Sequence, residues 1–526
     1  MLLAITAVAS LSAKKDKDSV LDWINQRLAY LIKNAKTECV NVIMQADIDA
    51  EGGYVIVNSG SYCLGEDIVF DGSTVANPGV LGPIAIAINA TDVHLDLKGH
   101  TITVIGNNTN AIATLEKSEN TWINNGTFIG DTVSTNQAGI LALTSDIGIS
   151  DIEFVNFQGV GSTGITIEGL QVSSTTDTTA TPFNQNGIII ARCIFNGAYY
   201  AVEAAGTSDN VAISLCYVDS SNIGIFVSAA AGAVTNARIE NCSFTDSIAS
   251  AISSTNFQNN WVISNCRIAR SGADAVVLGA FEDLKLIYCQ ILNTTLNGIL
   301  STSGTRNNVE IIGCQVYDFG SSALNLGSTN NFVVRDCEFI NPVAPSHALT
   351  NNPLMQVNTG RNGLVADCVI QNLANVVAGG LSGDCLVLTS CQGVTVEDCL
   401  IRTTTLSTGI KVNGGVSATI IRDCNVSGVP ATGILITGAS NTGIVVDNCS
   451  VQGATTGISL TGGSSNAAVR NNTLTGNAIG INNAGVNSQI YHNFASGNTS
   501  TNYVGVTPAL VVAPAPGVGT CENISG

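Results

Sequence analysis

The stretch GIKVNGGVSATIIRDCNVSGVPATGILITG runs from Gly409 to Gly438, and its patterning decides the fold. Ile410 and Val412 flank Lys411, an alternation of period two that marks a strand. Ile421, Cys424 and Val426 follow. The step of three between Ile421 and Cys424 breaks the alternation, so a two-residue corner must join two strands there. The pattern restarts at GILI (433–436). The same corner recurs in VAISLCYV (211–218), ARIENCSF (237–244), FVVRDCEF (332–339) and VTVEDCLI (394–401).

Eleven of the 16 cysteines mark this corner: Cys193, Cys216, Cys242, Cys266, Cys289, Cys314, Cys337, Cys368, Cys399, Cys424 and Cys449. Successive ones are 23 to 31 residues apart. His100, Gly126 and Ile152 extend the register upstream, and Asn472 and Asn493 extend it downstream. A unit of about 24 residues with three short strands leaves no room for crossover helices, so the units stack as a parallel β-solenoid. At one inter-strand spacing per coil, about 17 coils make a rod roughly 80 Å long.

The solenoid is expected over residues 51–500. Residues 14–50 read as a capping helix and linker. Val20, Trp23, Ile24, Leu28, Leu31 and Ile32 fall along one helical face of 18–36, suited to covering the exposed strand edges of the first coil. Residues 501–526 read as a Pro-rich tail laid over the final coils or along one face. The opening MLLAITAVASLSA (1–13) has the apolar run and small residues of a secretory signal, though no basic residue precedes them. A secreted, cell-surface or periplasmic location is therefore expected.

Composition narrows the function. The chain has 526 residues, of which 20 are basic and 39 acidic, for a net charge of −19. Nucleic-acid binding needs clustered Lys and Arg, which are absent. No apolar run reaches the length of a membrane span.

SGSYCLGEDI (59–68), AIAINATDVHLDLKGHTITV (85–104) and the later corner units resemble the right-handed parallel β-helix repeat proteins of the pectin-lyase-like superfamily. The resemblance covers roughly residues 51–495. It implies a right-handed, all-β parallel helix, a hand that parallel crossovers also favour. It also implies a structural role for His100 at a coil corner. The superfamily includes pectate lyases, polygalacturonases, alginate epimerases, phage tailspikes and adhesins.

The resemblance invites a test of catalysis. In the superfamily's pectinolytic enzymes, catalytic groups cluster on or beside the first sheet, which here carries the G-I-x-I units. The outward x column is Leu141, Thr166, Glu203, Phe226, Ser253, Val277, Leu300, Asn325, Gln356, Val387, Lys411, Leu435, Ser459 and Asn482. Glu203 and Lys411 are its only charges, and they lie far apart along the stack. Glycosidic cleavage by acid–base chemistry needs two carboxyls within about 5–10 Å. The expected function is therefore a non-catalytic, exported structural, surface or glycan-binding module. The alternative is a polysaccharide lyase, glycoside hydrolase or epimerase with a loop-borne site.

Four further features bear on function. Asp336, Asp367, Asp398 and Asp423 directly precede successive corner cysteines. They are either a Ca²⁺-binding ladder or corner residues chosen for a left-handed backbone, and the turn reading fits the Asn, Asp and Gly found elsewhere in the column. No other cofactor is indicated. The corner cysteines are expected as a ladder of free buried thiols, while Cys39, Cys63, Cys385, Cys391 and Cys521 lie off it with pairing undetermined. Insertions fall near 173–185, 341–353 and 373–384. The last two should touch, making His347 and Arg361 candidate ligand-binding residues. Finally, the apolar bias of the outward column suggests that the tail or a second copy covers it, as in a homo-oligomer packed through the first sheet.

Overall fold

The computed structural model describes residues 39–75, 81–168, 185–205, 208–227, 234–255, 258–301, 304, 306–342, 352–373, 383–403, 407–428, 430–461, 463–464, 466–505 and 524–525. The segments 1–13 and 18–36, His347 and Cys521 lie outside them, as does all but Ile524 and Ser525 of the tail beyond residue 505.

The alternating segments stack coil on coil. Strands of the first sheet run from Tyr54–Ile56 to Thr501–Val504, and each pairs in parallel with the next. The outward column holds its register throughout: Leu141 pairs with Thr166, Thr166 with Glu203, Glu203 with Phe226, and so on to Ser459 with Asn482. The second and third sheets meet at the cysteine corner. Thr121–Ile129 and Ile147–Val155 run through it, whereas later coils break there, as in Arg238–Glu240 and Ser243–Thr245.

Inward residues form one continuous core along the rod, including Ile140, Ile165, Val202, Ile225 and Ile252 behind the first sheet. Each such aliphatic side chain stabilises the fold by about 2 kcal/mol on burial. Phe128, Phe154 and Phe195 stack in successive coils at centroid separations of 5.3 and 4.8 Å.

The corner geometry explains its sequence. All ten Asx or Gly residues before the anchor, from Asp151 to Asn471, have positive φ, and Asp336, Asp367, Asp398 and Asp423 sit at φ 51 to 55°. Asn and Asp tolerate this region because their short polar groups bond locally. Arg192, Leu215, Tyr288 and His492 occupy the same position at φ 53 to 56° without that advantage.

The thiol ladder is buried and free. Cys337 donates its S–H toward the Ile311 carbonyl one coil back (3.5 Å) and toward Arg335 in its own coil (3.2 Å). Where the ladder ends, Asn472 and Asn493 donate from Nδ2 to the equivalent carbonyls of Val446 and Val469, at 3.1 and 2.9 Å. Cys and Asn thus make the same contact here, each placing a donor against a buried carbonyl.

At the N-terminal end, the helix Gln45–Glu51 lies over the first coil and buries Ile48. The side-chain amide of Gln45 accepts from the Val69 N–H and donates to the Val69 carbonyl, standing in for a preceding strand. Strand Asn41–Ile43 pairs with Gly60–Leu64, and a Cys39–Cys63 disulfide fixes it there. At the other end, Ile524 and Ser525 pair with Phe494 and Ala495 on the third sheet of the final coil.

Candidate functional site

The outer face of the first sheet divides into three zones. In the early coils Ala113, Ala138 and Leu141 are buried beneath Leu81, Ile84, Leu115 and Leu143. Side chains from the flanks of the same coils therefore cover this part of the apolar column. Far along the rod, Lys411 forms an ion pair with Asp384 at 3.0 Å, and Asp384 also accepts from the Thr408 N–H.

Between these zones lies an aromatic group. The strand Tyr200–Ala205 begins with Tyr200 and projects Glu203 into the outward column, and the next strand, Ile223–Val227, projects Phe226 beside it. The Tyr200 and Phe226 rings stack at 4.6 Å with planes 19° apart, while Tyr199 meets Tyr200 edge-on at 4.7 Å. All four residues, Glu203 included, are half-buried. Burial first, then the Tyr199 and Glu203 charges, push the Tyr200 hydroxyl up to about 12, so it stays a neutral donor at physiological pH.

Sequence patterning had placed Phe226 and Glu203 in this column but gave no role to Tyr199 and Tyr200. Their signal was the aromatic pair at a strand entry, three residues before the outward carboxylate. The buried Arg306 was also missed. It is 1% exposed, donates to the carbonyls of Gly279 and Gly304, and burial lowers its pKa to about 10.

The Asp column does not draw together as a ligand set. Arg335 bonds Asp336 at 3.1 Å, and Asn448 donates to Asp423 at 2.6 Å. Burial, followed by the charges of Asp423 and Asp367, holds the Asp398 carboxyl above its ordinary value. Among the described residues no three His, Cys, Asp or Glu side chains converge as metal ligands.

His100 accepts its corner role: Nδ1 lies 3.2 Å from Asp67 Oδ1, which also takes the Thr101 N–H. Arg361 is exposed at the corner between the first-sheet strand Met355–Asn358 and the second sheet, bridging to Asn330 and Gln392. In sequence His347 precedes that strand and Arg361 follows it, and His347 lies outside the described residues. Contact between the main parts of the 341–353 and 373–384 insertions falls on residues outside those described; the strands that follow them, Met355–Asn358 and Leu386–Thr389, are neighbours.

Residues 250–417 and 351–507 match the family model described as the right handed beta helix region. The chain folds as a right-handed parallel β-helix. No curated protein matches this β-helix in sequence. Among solved structures, the Dettilon tailspike protein is 14% identical, over 72% of this chain and 60% of the tailspike, with a TM-score of 0.35. The surface adhesin PfbA of Streptococcus pneumoniae is 10% identical, over 79% of this chain and 85% of the adhesin, with a TM-score of 0.33. The catalytic unit of an alpha-1,3-glucanase from Streptomyces thermodiastaticus strain HF3-3 is 12% identical, over 89% and 68%, with a TM-score of 0.28. This β-helix thus spans 60% of the tailspike's length. At these identities the likeness is one of fold alone. No helix among the described residues is long and apolar enough to cross a membrane.

Proposed function

We propose that this β-helix is an exported, non-catalytic surface module that binds glycan on the outer face of its first sheet. The observation that carries the reading is the stack of Tyr200 on Phe226, with Tyr199 edge-on, in an otherwise charge-poor column. A pyranose ring offers an apolar C–H face and a rim of hydroxyls. Aromatic rings supply the apolar partner, and tyrosine hydroxyls together with Asn and Gln side chains answer the rim. Binding rather than cleavage is supported by the spacing of charge. Glu203 and Lys411 are far apart on the column, and Lys411 is already engaged by Asp384.

Export is supported by the disulfide Cys39–Cys63 at the end of the rod, since such bonds persist in oxidising compartments. The buried thiols are compatible with that setting because no oxidant reaches them.

The test is incubation of the purified protein with a panel of neutral glycans and polyuronates, with and without Ca²⁺, followed by mass-spectrometric detection of products. Retention of intact glycan is expected. New oligosaccharides or unsaturated ends would replace this reading with the enzymatic one and direct attention to the insertions.

A further inference from the structure

We infer that the aromatic face takes an uncharged glycan chain and discriminates against polyuronates. This rests on the glycan-binding reading above and names the substrate class of the same site. Carboxylates are recognised by Arg or Lys, preferably by a guanidinium presenting paired donors. The first-sheet column offers none near the aromatic stack. Its single cation, Lys411, lies coils away and is held by Asp384 at 3.0 Å. Arg192, at the corner of the coil that contributes Tyr200, is held in a bidentate pair by Asp151, through Nε and Nη2 at 2.6 Å each. Glu203 places a carboxylate on the same strand as Tyr200, close enough to raise its hydroxyl's pKa.

The long-range field acts in the same direction. The chain carries −19, so an approaching polyanion meets net repulsion that salt weakens. The column groups beyond the aromatic rings are instead uncharged: Ser253, Val277, Leu300, Asn325 and Gln356 follow Phe226 in turn along the stack. Hydroxyls and amides pair with sugar hydroxyls without needing charge.

The experiment measures binding of the full chain to neutral glucan and mannan oligosaccharides and to polygalacturonate and alginate oligomers of matched length, at low and high salt. The expected result is binding to at least one neutral series, with polyuronates at least about tenfold weaker at low salt and the gap narrowing at high salt. Tyr200→Ala or Phe226→Ala should remove the neutral binding, Tyr200→Phe should retain most of it, and Glu203→Gln should narrow the gap. Thermal unfolding of each variant separates a lost site from a lost fold. Polyuronate binding equal to or tighter than neutral binding, and sensitive to Tyr200→Ala, would overturn this inference while leaving the glycan reading intact. No binding in any series would overturn both.

Discussion

At the residue scale, the corner position before each anchor determines what this fold tolerates. Leu215 sits there at φ 56° and is 57% exposed. Asn is the better occupant, since left-handed backbone costs an ordinary residue roughly 1–2 kcal/mol and little packing would be lost. Leu215→Asn should therefore stabilise the coil by about 1 kcal/mol, read as an increased midpoint in urea or heat. Asp398 makes the opposite case. Its folded-state pKa is raised, by burial first and then by Asp423 and Asp367, so ionisation costs stability in the folded state. That cost is present at neutral pH and disappears as pH falls through the raised pKa. Asp398→Asn, which keeps the corner geometry, should increase the thermal midpoint at pH 7, less so in high salt, and give no gain once pH is low enough to protonate the carboxyl. Arg306 is the sharpest liability. Arg306→Ala would leave the carbonyls of Gly279 and Gly304 without their donor and open a void, a loss of about 2–4 kcal/mol in denaturant titration.

At the scale of elements, the coil is legible in sequence because its periods are short and its corners are chemically marked. The step of three from Ile421 to Cys424 located the corner, and the G-I-x-I units located the first sheet with its register intact. Tyr199 and Tyr200 were not legible as a site, because they precede the repeating unit, where the alternation does not say which way a side chain turns. Nor was the partner of Cys39, since pairing depends on where strand Asn41–Ile43 docks. That disulfide anchors the first coil, closing a separation of 24 residues, worth roughly 3 kcal/mol in the chain-entropy view. Reduction, or Cys39→Ser with Cys63→Ser, should speed hydrogen exchange in strand Gly60–Leu64 while leaving the middle coils protected. Within the thiol ladder, Cys314→Asn should be tolerated better than Cys314→Ala, because only Asn restores a donor to the Leu286 carbonyl. Comparison of the two unfolding midpoints decides it.

At the scale of the whole molecule, a rod of parallel coils gives a rigid face that repeats once per coil. Its interior is apolar along its length, and ion pairs between coils, such as Arg270 with Asp246 and Arg422 with Glu397, fasten the surface. Each exposed pair contributes only about 0.2–1 kcal/mol, so the stack depends on its core rather than its charges. The rod thus presents a fixed backbone platform whose outward side chains change from coil to coil, and Tyr199, Tyr200 and Phe226 form an aromatic group on it. The most direct measurement of this account is hydroxyl-radical footprinting of the full chain with and without a saturating neutral oligosaccharide. Protection concentrated on Tyr199, Tyr200 and Phe226 is the predicted result. Unchanged oxidation there, with protection in the 341–353 and 373–384 insertions instead, would contradict it.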